Sequence, residues 1–119
     1  MTQKALILMS LLLIKHFLCD FPFQSQKMIK HKGNYGHPAG ITHSLIHSQA
    51  TFMVFLFFSP VSTLLAAIDF ITHYHIDWFK MKFGCQDQST KRFWTHLGLD
   101  QLLHGLNYIG LVAIALSFQ

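Results

Sequence analysis

Four apolar stretches, at about 4–23, 41–58, 61–79 and 93–118, take up most of this 119-residue chain. Each is close to the ~20 residues that a helix needs to cross the hydrocarbon of a bilayer. Charged residues make up only 12% of the chain and apolar residues 51%, whereas a soluble domain is normally about 25% charged. A water-facing surface built from so few charges would be largely greasy. The pattern predicts one all-α domain over 1–119, a polytopic membrane four-helix bundle. The N-terminal run resembles a signal peptide but has no small-x-small cleavage site, so it is expected to be a retained first span.

Where the charges fall predicts an orientation. Lys27, Lys30 and Lys32 follow the first stretch, and Lys80, Lys82, Lys91 and Arg92 follow the third, while the Ser59-Pro60 turn carries none. Basic loops stay in the cytoplasm, which puts both termini outside. Trp78, Phe79, Phe93 and Trp94 fall at the cytoplasmic interface, where aromatic rings settle. The loop lysines are expected to determine topology and to touch anionic lipid. They lack the aromatic interleaving of single-strand binders, so the expected partner is membrane lipid and no nucleic acid. Cys19 and Cys85 form neither a CxxC pair nor a disulfide framework.

Acids are used sparingly. The chain has no glutamate and five aspartates, against nine histidines. The stretches carry His16 and Asp20, His43 and His47, Asp69, His73 and Asp77, and His96, Asp100 and His104, always in steps of four. Residues four apart share a helix face. With alternating helix directions, all four stripes fall in the cytoplasmic half of the bundle. Ionisable groups inside a membrane are costly and face a bundle interior or a wet cavity.

Imidazole and carboxylate without thiolate suit a divalent metal such as Zn, Mn or Fe, and helix bundles build such sites from facing helices. His16, His43, His47, Asp69, His73, Asp100 and His104 are the candidate metal ligands. Asp69 and Asp100 serve as ligands or as carboxylate partners of the histidines, and Asp20 or Asp77 as general base. A metal that activates water would make the chain a hydrolase, acting at this depth on a lipid or a lipid-linked ester or phosphoester. A single His-x3-His pair is as readily polar glue between helices; four such stripes on one side are not. His75 points off its stripe, His31 and Asp87 read as solvated, Cys19 as packing. His37, Gln24 and Gln101 flank the stripes, where they would cap the site or orient ligands and substrate.

Lys15-His16-Phe17-Leu18-Cys19-Asp20-Phe21, Gln24, His43-x3-His47, Asp69-x3-His73-Tyr74-His75-Ile76-Asp77-Trp78 and Asp100-Gln101-x2-His104 together resemble a domain-of-unknown-function family of small bacterial and phage integral membrane proteins. The resemblance spans nearly the whole chain. It implies the bacterial inner (cytoplasmic) membrane and lends weight to the nine stripe residues other than His96. In its His/Asp usage the family is similar to membrane-bound metal-dependent hydrolases. Two other functions fit the same residues: a bis-His haem site for redox work, and a non-enzymatic His/Asp cluster that relays protons or specifies packing.

Overall fold

The computed structural model describes residues 2–119. Five helices and no strand occur among them: α1 Thr2–Asp20, α2 Gln26–His31, α3 Pro38–Phe55, α4 Ser62–Phe83 and α5 Lys91–Ser117. The four long helices coincide with the four apolar stretches to within a few residues. They form a closed ring in which α1 packs on α3, α3 on α4, α4 on α5 and α5 on α1. Consecutive long helices therefore alternate in direction. α1 and α5 are long and apolar enough to cross a membrane; four spans by that measure are not found, because the polar stripes lower the hydropathy of α3 and α4.

Local chemistry sets the helix starts. Thr90 Oγ1 accepts from the Phe93 amide at the head of α5. His37 Nδ1 accepts from the Ala39 amide at the head of α3, where Pro38 lacks an N–H to satisfy. The segment expected as a plain polar loop holds α2, whose first turn is capped by Ser25. This short helix lies on α3. The seam is close: a Cβ added to Gly40 would stand 3.3 Å from the Lys32 Cα.

The interior has two storeys. At one end Leu8, Leu12, Phe55, Leu65, Leu111, Val112 and Ala115 pack into an apolar core. At the other end the interior is polar, and all nine stripe residues of the sequence pattern are buried there. Each long helix changes character along one stripe. Leu8, Leu12, His16 and Asp20 do so on α1, and Phe55, Thr51, His47 and His43 on α3. The outer faces of all four long helices are apolar, with Leu13, Met53, Ile71 and Leu106 more than half exposed.

Gly40→Val would overpack the α2–α3 seam. It is expected to cost about 1–3 kcal/mol of stability, seen as a lower midpoint in thermal unfolding of the purified protein; an unchanged midpoint would show that the seam yields.

Candidate metal centre

The antiparallel ring brings the last turn of α1, the first turns of α3, the last turns of α4 and the first turns of α5 to one level. Asp20 Oδ1 lies 3.0 Å from His47 Nε2 and 3.2 Å from His43 Nε2. Asp77 Oδ2 lies 3.2 Å from His43 Nε2 and 3.4 Å from His73 Nε2, and its Oδ1 lies 3.1 Å from His104 Nε2. His43 Nε2 and His73 Nε2 face each other at 3.4 Å. The rings also stack, His47 on His73 with centroids 3.6 Å apart and His73 on His104 at 4.3 Å.

Three overlapping groups have donor atoms within 4.8 Å of one another: Asp20, His43, His47 and His73; His16, His73 and His104; and Asp77, Asp100 and His104. A tetrahedral ion with bonds of about 2.0–2.1 Å holds neighbouring donors about 3.3 Å apart. The spacing around His43 and His73 matches that edge. One imidazole N–H serves one acceptor well, yet His43 Nε2 faces two carboxylate oxygens and a second imidazole nitrogen. Lone pairs and anionic oxygens so crowded repel unless positive charge lies between them.

The remaining ring nitrogens sort the histidines. Nδ1 of His43, His73 and His104 is buried without a hydrogen-bond partner, free to carry the proton while Nε2 presents a lone pair inward. Nδ1 of His47 meets the Lys15 ammonium at 3.3 Å, so ligation through Nε2 would turn that contact into one between two donors. His16 has protein partners on both sides: Tyr108 Oη at 2.8 Å from Nδ1, and Gln101 Oε1 at 3.0 Å and Asp20 Oδ2 at 3.1 Å from Nε2. His43, His73 and His104 are thus the freest donors, and His16 is a brace. Asp100 Oδ1 is buried without a hydrogen-bond donor, 3.6 Å from His104 Nε2.

Other expected residues stand differently. Asp69, expected as a ligand, lies outside all three groups: Lys15 and Thr51 donate to Oδ2 and Asn107 to Oδ1. Asp20 and Asp77, expected as general bases, sit among the donor atoms themselves. Gln101 joins His16 to Asp100, and Gln24 donates to the Asp20 carbonyl. His96 accepts from the Cys85 amide, and His75 contacts the Tyr35 hydroxyl on the surface. His37 is spent on capping α3.

The lysines depart most from the expectation drawn from sequence. Lys15 and Lys32, each 6% exposed, point inward. Lys15 Nζ bonds Asp69 at 2.9 Å, Lys32 Nζ bonds Asp77 at 3.0 Å, and Lys80 Nζ bonds Asp100 at 3.3 Å. Burial opposes the charge on Lys32, but Asp77, Asp20 and Asp100 outweigh it and hold the ammonium above its ordinary pKa. Four buried carboxylates thus face three ammonium groups. Lys15 gave a signal, as the one lysine in the interior of an apolar stretch. Thr51 and Tyr108 did too, since each extends its stripe by one more step of four. Nothing in the sequence separates Lys32 from Lys27 and Lys30.

A family model described as "Protein of unknown function (DUF3307)" matches residues 7–119. No curated protein and no solved structure matches the chain.

Removing one member of a buried ion pair strands the other. Lys15→Met is expected to destabilise the protein by about 3–5 kcal/mol, and Lys15→Met with Asp69→Asn to recover most of that loss in thermal unfolding. A double variant no better than Lys15→Met would show that the two groups are not coupled.

Proposed function

We propose that this chain, which belongs to the DUF3307 family of proteins of unknown function, is a membrane-embedded metal-binding protein that hydrolyses a lipid or membrane-linked ester or phosphoester. One observation carries the metal: imidazole Nε2 atoms and carboxylate oxygens from four helices crowd to 3.0–3.4 Å, the spacing of neighbouring donors around one tetrahedral ion. His43 and His73, with Asp20 and the weaker donor His47, would hold one divalent ion. Asp77, Asp100 and His104 would hold a second. Bound there, the metal supplies a Lewis acid and lowers the pKa of water.

The chain's own residues do the rest. Lys15 and Asp69 neutralise each other below the site, and Tyr108 and Gln101 fix the His16 ring, so that Asp20 keeps its place. Lys32 and Lys80 stand at the outer edge on Asp77 and Asp100, where they hold carboxylate charge and attract an anionic group. A haem fits less well. His73 stacks on His47 at 3.6 Å and on His104 at 4.3 Å, which leaves no slot for a macrocycle within either pair.

Several features support four membrane passes. α1 and α5 are long and apolar enough to cross a membrane. At 18 and 22 residues, α3 and α4 span about 27 and 33 Å, and their outer faces expose Leu45, Met53, Leu64 and Ile71. Lys27, Lys30, Lys82, Lys91 and Arg92 are solvent-facing or nearly so at the polar end of the bundle. The positive-inside rule puts that end, and the site, at the cytoplasmic face of the bacterial inner membrane.

Purified protein is expected to carry a divalent transition metal by plasma mass spectrometry, and His43→Ala and His73→Ala to lose it while keeping their helical spectrum. Wild-type protein that neither contains nor takes up such a metal would remove the proposal. Reporter fusions at the two ends are expected to report the same, non-cytoplasmic side; opposite sides would exclude four passes.

A further inference from the structure

Two openings meet beside the His/Asp cluster. One is a groove of about 410 Å³ between α4 and α5, walled by Ile76, Phe79, Phe83, Leu99 and Leu103. It is almost wholly apolar, opens on the outer surface, and falls within the size range of ligand pockets, about 300–1,000 Å³. The other is a smaller recess of about 180 Å³ beneath α2 and the turn after α4, of mixed lining and more polar than the groove, with Gln24, Lys32 and Gln86 in its wall. Lys80 and His96 line both.

The cations at this junction are not used up. An ammonium has three N–H bonds to give. Lys15 gives three, to Asp69 and to the ring and carbonyl of His47. Lys32 gives one, to Asp77, and Lys80 one, to Asp100. Both carboxylates also belong to the group that would hold the second metal ion. A carboxylate shared with a cation offsets less of its lysine's charge. Lys80, where the two openings meet, and Lys32, in the recess beside it, thus keep N–H bonds to spare at the end of a greasy groove, and a phosphate, with several anionic oxygens, suits two such donors.

We propose that this junction binds a single-chain alkyl phosphate, with the phosphate between Lys32 and Lys80 and the chain along the α4–α5 groove. The inference rests on the bilayer-embedded site proposed above, since the groove then opens to hydrocarbon and the recess to water. It names the substrate class of that site: a phosphate monoester or diester on a lipid tail, presented to the His104–Asp100 side of the cluster.

The test uses the full chain in phosphatidylcholine nanodiscs, titrated with dodecyl phosphate and, separately, with inorganic phosphate. Binding is read by phosphorus NMR line width against empty nanodiscs. Dodecyl phosphate is expected to bind at least about tenfold tighter than inorganic phosphate. Lys80→Gln is expected to weaken dodecyl phosphate by about tenfold, as loss of a charged hydrogen bond implies. Leu99→Trp and Leu103→Trp, which fill the groove, are expected to weaken it similarly with helical spectrum and metal content unchanged. Equal affinity for the two phosphates, or wild-type binding by Lys80→Gln and both groove variants, would overturn the proposal. Intact dodecyl phosphate binding by wild-type protein that neither contains nor takes up a divalent metal would uphold the phosphate site and remove the metal centre, so the two ideas fail separately.

Discussion

Four aspartates buried in one half of a helical bundle are the constraint that the rest of this protein answers. A lone carboxylate in a low-dielectric interior is strongly disfavoured unless it is paired and hydrogen-bonded. Each of the four has a solution. Asp69 has a full shell of neutral and cationic donors, Lys15, Thr51 and Asn107. Asp77 and Asp100 each take one lysine and stand close to histidines. Asp20 has no lysine and relies on His16, His43 and His47. Donor atoms crowd most closely around His43 and His73, and there the buried histidines and aspartates could hold a metal ion.

The two-storey interior follows from the same constraint. A polar cluster of this size needs rigid walls, because its worth depends on distances held to a few tenths of an ångström. Leu8, Leu12, Phe55 and Leu65 make a dry plug at the far end. Tyr108 bridges the storeys: its ring belongs to the apolar core and its hydroxyl contacts His16. Lys15 passes alongside, its ammonium 4.7 Å from the Tyr108 ring centre on the way to Asp69. The arrangement separates a fixed, self-neutralised base around Asp69 from a rim around Lys32 and Lys80, and the rim meets two cavities.

Much of this was legible in the order of residues. Apolar lengths located four long helices, and steps of four put histidine and aspartate on one face of each. Alternating helix direction then placed all four faces at one end, and the buried residues are those of the stripes. Less legible was the division of labour among them. Asp69 and Asp77 have the same residue type and stripe, yet one meets three donors and the other stands among imidazoles. His16 and His43 differ only in what faces them from α5 and α4.

Periodicity and composition by themselves determined the helices, the inward stripes and the apolar exterior, because those depend on spacing along a single helix. The fate of each polar group was decided only by the packed bundle. Lys32 shows why: its sequence neighbours Lys30 and Lys27 look equivalent, and α2, folded onto α3 at Gly40, turns this one side chain toward Asp77. Pairing between groups tens of residues apart depends on ångström distances across helices, and no local pattern encodes those distances.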